Sequence, residues 1–349
     1  MRARVACAAR LRMAGFAVRE ESFAYSAWVG RWGTPIGGVT AGAIVVVGAH
    51  LGRSGRPAVA LALLTLGAVL LAAVAQWLAV RGVLSFPLDR RTGTNIVATR
   101  GGEAPPVWLM AHVDSKSQPV PILVRAGGVT LVIVAWVASA VLAAAHLLAG
   151  PGQGWSFLWL VLAVVGAVGA LPVIATTVGT RSPGALDNAT GVATVLAAAE
   201  LSTGPLGVCL TSAEELGLEG ARAWVRGRGA VPAGVVVVNC DGVDDAGTTT
   251  SMHSGACPTA LVNAIAVAAE RAGTRVRAHR LLPGVLTDGV ALADAGWPVV
   301  TLSKGGVRTL ARIHTAHDRA DGMTGEGMAE VARLIVALVE SRTSRGEAG

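Results

Sequence analysis

The stretch Leu186-Asp187-Asn188-Ala189-Thr190-Gly191 places an acidic residue and an amide on a short, glycine-closed loop. An apolar run, Val192 to Leu201, follows directly and predicts a helix, and a Pro-Gly turn, Pro183-Gly184, precedes the loop. An Asp-Asn pair before a helix is usually an N-cap and a turn, which is the simplest interpretation of this loop on its own. The same position also suits an Asp that binds a metal ion. Other acidic and histidine residues of the chain are needed to distinguish the metal ligand from the N-cap.

Strands and helices alternate along the chain around this loop. Because strands that alternate with helices form parallel pairs, the pattern predicts an α/β fold with a mixed, mostly parallel sheet and helices on both faces. Ligands of such sheets bind beyond the carboxyl ends of the strands. Apolar runs predict strands at 16–25, 95–99, 107–111, 206–210, 235–239 and 299–302, and helices at 5–13, 192–201, 218–226, 258–272 and 325–341.

The composition indicates membrane segments in addition to this domain. Of the 349 residues, 52% are hydrophobic and only 15% are charged, which is far from the average of a soluble domain. The apolar residues occur in four blocks, at 36–51, 58–80, 126–149 and 155–178. The first block is short and rich in glycine, whereas the other three are long enough to cross about 30 Å of hydrocarbon. Buried core helices are the alternative, which runs of this length without a charged residue disfavour.

The four spans pair as two transmembrane helical hairpins, 36–80 and 126–178, which interrupt one polar domain formed by 1–35, 81–125 and 179–349. An even number of spans leaves all parts of the polar domain on one side of the membrane, and most of the arginines lie there. The positive-inside rule therefore predicts an integral membrane protein with a cytoplasmic polar domain, although Arg53 and Arg56 in the first hairpin loop oppose this orientation. The alanine-, glycine- and arginine-rich composition is typical of bacteria with GC-rich DNA, so we expect a bacterial cell membrane.

The formal net charge of +7 raises the question of a nucleic-acid partner. The arginines flank the apolar spans and form no patch interleaved with aromatic residues, so the lipid bilayer is the expected partner and nucleic acid is not. The four cysteines show neither metal-site nor disulfide spacing.

Polar side chains follow several of the predicted strands. His112 and Asp114 come after strand 107–111, where i, i+2 spacing puts both on one face. Glu214 and Glu215 come after strand 206–210, and two adjacent glutamates at the end of a buried strand are costly in a plain core. One of the pair can bind a metal ion while the other acts as a general base. A solvated helix start is the alternative, because Glu is favourable near a helix N-terminus.

Two more strand ends complete a candidate metal site. Asp241 follows strand 235–239, and His314 follows the last strand. Two histidines and three carboxylates match the needs of two zinc ions that share one bridging carboxylate. Two metals about 3.5–4 Å apart can activate one water molecule and polarise one carbonyl group. The residues delivered to this site are His112, Asp187, Glu215, Asp241 and His314.

This set resembles the M28 family of zinc metallopeptidases, which contains aminopeptidases with two co-catalytic zincs. The resemblance covers nearly all of the chain outside the four spans and implies a zinc-exopeptidase fold. The matching motifs are Ala111-His112-Val113-Asp114-Ser115, Asp187-Asn188-Ala189-Thr190-Gly191, Glu214-Glu215-Leu216-Gly217-Leu218-Glu219-Gly220, Asn239-Cys240-Asp241 and His314-Thr315-Ala316-His317-Asp318, with Thr287-Asp288-Gly289 and Gly296-Trp297-Pro298 similar to the family's late segment.

The resemblance implies a role for each ligand. His112 and Asp241 would hold one zinc, Glu215 and His314 would hold the other, and Asp187 would bridge them through a loop whose Asp187-Asn188 peptide bond is cis in the family. Two further residues would assist them.

Asp114 would orient His112, and Glu214 would be the general base that takes a proton from water and passes it to the leaving amine.

The chain departs from the family at the residue that would stabilise the oxyanion, the negatively charged oxygen formed from the substrate carbonyl. Several members of the family have a tyrosine just before the last histidine ligand, where this chain has Ile313, and Tyr25 is the only tyrosine in the chain.

The leading functional hypothesis is a membrane-anchored metallopeptidase with two Zn²⁺ ions, an aminopeptidase that acts on peptides. One alternative is a non-catalytic, peptidase-like membrane receptor or scaffold, which would be expected to lose a ligand or the base. Another is a single-zinc enzyme similar to glutaminyl cyclases. No oligomeric state is assigned from the sequence.

Overall fold

The computed structural model describes residues 2–78, 86–150, 154–282 and 284–346. The chain divides into two compact units. The sheet unit consists of Met1–Ser26, Asp89–Ser117 and Thr180–Gly349, and the helical unit consists of Ala27–Leu88 and Gln118–Gly179. The predicted end of the second span at Val80, the predicted start of a domain segment at 81 and the middle of the second hairpin loop, 151–153, lie outside the described residues.

The sheet unit is built on one mixed, eight-stranded sheet with the strand order β1-β2-β4-β3-β5-β8-β6-β7. The central strands β4, β3, β5 and β8 run parallel to one another, whereas β1 with β2, β2 with β4, and β6 with β8 pair antiparallel. The predicted α/β class with a mixed sheet is thereby confirmed. The strands are β1 (Ala17–Ser26), β2 (Arg90–Arg100), β3 (Val107–His112), β4 (Leu206–Thr211), β5 (Val236–Val243), β6 (Thr248–His253), β7 (Val276–Arg280) and β8 (Val299–Gly305).

The helices of the described chain fall into two groups. In the sheet unit, α1, α6, α8 and α11 pack on one face of the sheet and α7 and α9 pack on the other. In chain order the helices are α1 (Arg2–Met13), α2 (Trp28–Arg53), α3 (Pro57–Trp77), α4 (Ile122–Ala149), α5 (Trp155–Ile174), α6 (Thr190–Leu201), α7 (Glu219–Arg226), α8 (Thr259–Arg271), α9 (Asp288–Asp294), α10 (Val307–Arg312) and α11 (Glu326–Gly346).

The central strands are apolar along nearly their whole length because helices cover both faces of the sheet. Every residue of β3 and of β4 is buried. On the face of α7 and α9 the core is aromatic, with Trp108, Trp224 and Trp297 packed in a row at ring-centroid distances of 5.1 and 4.9 Å. Such strands are easy to recognise in the sequence, because a short apolar run needs no polar alternation when both faces are buried.

The strands β6 and β7 and the short helices α9 and α10 are absent from the sequence-based prediction. The sequence of β6 is Thr-Thr-Thr-Ser-Met-His, and β7 is an edge strand whose last four residues, Arg-Ala-His-Arg, are all exposed. Neither strand has the apolar pattern that identifies a strand, so its pairing with the sheet comes from tertiary context.

The helical unit contains α2 to α5, four helices that are long and apolar enough to cross a membrane. The first begins at Trp28 rather than at Ile36, because the helix continues through the glycine-rich stretch that contains Pro35. The last ends at Ile174, before the predicted end at Val178. The helix α2 packs closely on α5, where a β-carbon on Gly52 would lie 2.3 Å from the ring of Trp159. Glycine is required at this contact because any side chain would push the helices apart.

Candidate metal centre

Asp187 lies on an irregular turn, Ala185–Ala189, in which Asp187 and Asn188 have non-helical backbone angles and are joined by a cis peptide bond. The amide of Asn188 donates to the carbonyl of Cys240 (2.9 Å) and accepts from the backbone of Gly191 (3.1 Å). A β-carbon on Gly191 would lie 2.1 Å from the Asn188 side chain, so only glycine allows this approach. The turn is therefore tied to β5, and the side chain that accepts a hydrogen bond from the first turn of α6 is that of Asn188, not that of Asp187. The N-cap interpretation of Asp187 does not hold.

Asp318 fixes the backbone of the turn from the other side. Its carboxylate accepts hydrogen bonds from the backbone N–H groups of Leu186 (2.6 Å) and Asp187 (3.3 Å), and the residue is fully buried. Asp318 belongs to the motif that begins at His314, but its role was not predicted from the sequence. The only available signal was the four-residue spacing from His314, which follows α10.

We expect Asp318→Asn to destabilise the sheet unit by about 1–3 kcal/mol, because an amide in place of the carboxylate leaves one buried backbone N–H unpaired. Zinc should also bind about 10–100-fold more weakly, as is usual when a group that orients a metal ligand is lost. Chemical denaturation in detergent and zinc titration against a chelator measure the two effects. Asp321→Asn is the matched control, because Asp321 is exposed. Equal stability and equal zinc affinity in the two variants would contradict the prediction.

The carboxylate of Asp187 faces two histidines, one with each oxygen. Its Oδ1 lies 3.1 Å from Nε2 of His112, and its Oδ2 lies 2.8 Å from Nε2 of His314. The same two ring nitrogens face a second carboxylate each, since Nε2 of His112 is 3.7 Å from Oδ1 of Asp241 and Nε2 of His314 is 3.3 Å from Oε2 of Glu215. The structure thus brings the five residues predicted as ligands together around Asp187.

Two groups of three residues in this cluster could each hold a metal ion. One consists of His112, Glu214 and Asp241, and the ligand atoms of its members lie within 4.8 Å of one another, as do those of the other group, Asp187, Glu215 and His314. Each group combines an imidazole nitrogen with carboxylate oxygens, which is the donor set of zinc sites. The residues therefore fit the predicted metal.

The Asp114 residue connects the cluster to the glutamate pair. Nδ1 of His112 bonds the backbone carbonyl of Asp114 at 3.0 Å, whereas the Asp114 carboxylate is 3.9 Å from the ring. That carboxylate instead accepts hydrogen bonds from the backbone N–H groups of Glu214 and Glu215, both at 3.2 Å. The backbone carbonyl leaves Nε2 of His112 free to face the carboxylates, and the side chain positions the two glutamates.

Burial and charge shift the pKa values of the cluster in opposite directions. Burial alone would raise the pKa of Asp187, but hydrogen bonds from His112 and His314 hold it well below its usual range. Burial raises the pKa of Glu214 well above its ordinary value, and the charges of Glu215 and Asp241 add to this against the opposing effect of His112. The two carboxyl groups therefore differ in their affinity for a proton, which is higher for Glu214 than for Asp187.

Lys116 is a member of the cluster that was not predicted from the sequence. Its Nζ lies 2.7 Å from Oε2 of Glu215, and its backbone N–H donates to Oε1 of the same residue at 3.0 Å. Burial alone would lower the pKa of Lys116, but Glu215 and Glu214 outweigh this and raise it, so the side chain is cationic. A lysine two residues after Asp114 carries no signal in one sequence, because its partner Glu215 is about a hundred residues away.

Two more buried carboxyl groups, those of Asp288 and Glu219, are not proposed as ligands. Asp288 at the start of α9 accepts a hydrogen bond from Thr211, and burial raises its pKa to about 7. Glu219 at the start of α7 has no hydrogen-bond partner for either carboxylate oxygen among the described residues. Burial raises the pKa of Glu219 to about 8 against the charges of nearby arginines.

Glu219 should make stability depend on pH. Because its folded-state pKa lies above the ordinary carboxyl value of 4.5, the folded protein binds more protons than the unfolded chain between pH 4.5 and about 8. Its contribution to stability is therefore lost as the pH rises through this window. We expect Glu219→Gln to be more stable than wild type by up to about 5 kcal/mol above pH 8, and to lose this advantage towards pH 4.5. Denaturation curves from pH 4.5 to 9 measure the difference, and a constant difference would contradict the prediction.

Solved structures share the fold of this chain. A glutaminyl cyclase from Bacteroides thetaiotaomicron bound to N-acetylhistamine is 12% identical and has a TM-score of 0.52, with 96% of this chain and 87% of that chain covered. A leucine aminopeptidase precursor from the same species is 13% identical and has a TM-score of 0.50, with 96% and 86% covered. Identity this low shows the fold and nothing about the activity.

A zinc aminopeptidase from Bacillus subtilis is 17% identical, with a TM-score of 0.45 and 74% of this chain covered, and the chain spans 52% of its length. No curated protein matches the chain at a significant level. The model of Peptidase family M28 matches residues 168–339, a segment that contains Asp187, Glu214, Glu215, Asp241 and His314 but not His112.

Proposed function

We propose that the chain is a zinc-dependent peptidase of family M28, an aminopeptidase that is anchored in a membrane and uses two zinc ions. The observation that carries this proposal is the Asp187 carboxylate, which faces His112 with one oxygen and His314 with the other. A carboxylate shared between two histidine-containing groups is what a pair of neighbouring metal ions needs. The family match over 168–339 and the shared fold support the proposal.

In this proposal His112 and Asp241 would hold one zinc, Glu215 and His314 would hold the other, and Asp187 would be shared between them. Zinc ions in such a pair act as Lewis acids that make water nucleophilic at neutral pH and polarise the substrate carbonyl. The carbonyl of Asp114 keeps Nδ1 of His112 protonated, so that Nε2 carries the lone pair a metal ligand needs.

Glu214 is the residue that transfers a proton from the attacking water to the leaving amine. Its Oε2 lies 3.9 Å from Nε2 of His112, so the carboxylate borders the metal position without being needed as a ligand. The backbone of Glu214 is held by the Asp114 carboxylate, which sets the direction of the side chain. Glu214 accepts the proton of the attacking water at Oε2 and delivers it to the leaving amine.

The test is a substrate panel with the full chain purified in detergent. Aminoacyl p-nitroanilides and dipeptides are assayed with zinc or cobalt, beside the same substrates with an acetylated N-terminus. We expect hydrolysis of the free-amine substrates only, and loss of activity with a chelator. Hydrolysis of none of them would refute the peptidase proposal, and cleavage of the acetylated substrates would refute the aminopeptidase part.

A second candidate is a single-zinc glutaminyl cyclase-like enzyme. It is favoured by one observation, that Asp187, Glu215 and His314 form a three-ligand group on their own. Peptides with N-terminal glutamine distinguish the two, because a cyclase releases ammonia and leaves a pyroglutamyl peptide. One zinc per chain together with this product would favour the cyclase, and two zincs with free amino-acid products would favour the peptidase.

We also propose that α2 to α5 form two hairpins in a membrane, with the sheet unit, Met1–Ser26, Asp89–Ser117 and Thr180–Gly349, in the bacterial cytoplasm. Cys257 makes the orientation testable, because it is exposed whereas Cys7, Cys209 and Cys240 are buried. A membrane-impermeant maleimide should label Cys257 only after the cells are opened, and Cys257→Ser should abolish the labelling. Labelling in intact cells would place the sheet unit outside.

A further inference from the structure

Peptide hydrolysis builds negative charge on the oxygen of the substrate carbonyl, and a donor aimed at this oxyanion usually contributes strongly to the rate. In this chain Ile313, the residue before His314, offers no side-chain donor. The single tyrosine, Tyr25, lies in β1, an edge strand of the sheet, and is buried. Oxyanion stabilisation then falls to the zinc ions or to a side-chain donor elsewhere in the cluster.

Lys116 is placed to be this donor. Its Nζ lies 2.7 Å from Oε2 of Glu215, and the same Oε2 lies 3.3 Å from Nε2 of His314. The ammonium group is thus beside the place where Asp187, Glu215 and His314 converge. Among the ion pairs of the described residues, it is the only lysine or arginine group within 4.0 Å of a carboxylate in this cluster.

The ammonium group also has one N–H donor that is not used on Glu215, and its side chain is partly exposed to solvent. A lysine has three N–H donors, and Lys116 uses two on Glu215, one to Oε2 and one to the backbone carbonyl at 3.4 Å. The side chain of Lys116 is 19% exposed, whereas that of Glu215 is 4% exposed. The cation is therefore closer to solvent than the buried ligand that it contacts.

We propose that Lys116 is a catalytic residue that donates a hydrogen bond to the oxyanion formed from the scissile carbonyl, in the role that a tyrosine would otherwise fill. This inference rests on the proposed peptidase function. As water adds, its oxygen bonds the carbonyl carbon, the π pair moves to the carbonyl oxygen beside Nζ, and the proton goes to Glu214. The pair then returns, the C–N bond breaks, and the amine leaves with the proton from Glu214.

The test compares Lys116→Met and Lys116→Arg with wild type, as full chains in detergent at saturating zinc. Three quantities are measured for each protein: kcat/KM for the best substrate of the panel, zinc per chain, and the inhibition constant of an α-aminophosphonic acid that mimics the tetrahedral oxyanion. Tyr25→Phe is the control that tests the single tyrosine of the chain as the alternative donor. Thermal unfolding shows that each variant is folded.

We expect Lys116→Met to lower kcat/KM about 10²–10³-fold and to weaken the phosphonic acid by the same factor, because the inhibitor resembles the transition state. Zinc content should stay at the wild-type value, Lys116→Arg should recover part of the loss, and Tyr25→Phe should behave as wild type.

Three results would overturn the inference. If loss of activity follows loss of zinc and the inhibition constant of the loaded protein is unchanged, Lys116 only orients Glu215. If Tyr25→Phe shows the loss instead, the donor is the tyrosine. If wild type is active and Lys116→Met is equally active, the inference about Lys116 fails and the peptidase proposal stands. If wild type hydrolyses no substrate of the panel, the peptidase proposal itself fails.

Discussion

Glu214→Gln is expected to lower kcat about 10²–10⁴-fold, which is the usual contribution of a general base. Glutamine has the shape of glutamate but cannot take up a proton, so it removes the proton transfer and little else. Because Glu214 is within reach of His112 and Asp241, zinc per chain has to be measured in the same sample. We expect the zinc content to remain that of wild type.

Glu219→Gln is the matched control for this experiment. The two glutamates lie in the same segment after β4 and are both buried, but Glu219 is not in either group of candidate metal ligands. Glu219→Gln should keep wild-type kcat. A Glu214→Gln variant that is as active as Glu219→Gln would exclude Glu214 as the base, whereas one that loses zinc would show that Glu214 is a ligand.

Asp187→Asn is expected to reduce zinc from two ions to one or none per chain, and to lower activity by at least about 10³-fold, since a metal ligand and the two-metal arrangement are both lost. Both oxygens of Asp187 are in use, one toward His112 and one toward His314. An asparagine offers one oxygen and turns an NH₂ group toward the other histidine. Metal analysis after dialysis against a low zinc concentration measures the change.

Asp294→Asn is the control for Asp187, because Asp294 is an exposed aspartate at the end of α9. It should retain both zinc ions and full activity. Two zinc ions in the Asp187→Asn protein would show that Asp187 does not bridge the metals. One zinc ion in wild type would instead support the single-zinc cyclase.

The parts of the candidate site that were predictable are those delivered by strand ends. His112 ends β3, Glu214 and Glu215 follow β4, and Asp241 lies in β5. These strands are apolar runs, and parallel neighbours bring their carboxyl ends to one edge of the sheet, so polar residues after them must meet. Asp187 and His314 were predicted with them as residues at strand ends, but in the structure Asp187 lies on the turn before α6 and His314 follows the short helix α10.

The sequence by itself therefore determined the mixed α/β class, the four apolar helices and a set of candidate ligands, because each of them follows from the local pattern of apolar and polar residues. Tertiary structure alone decided the rest. It brought Asp318 to the backbone of the Asp187 turn, assigned the backbone carbonyl of Asp114 to His112, and placed Lys116 on Glu215. Each of these contacts joins residues that are far apart in the sequence or depends on the direction of the backbone. Neither property produces a periodic pattern of apolar and polar residues from which it could be predicted.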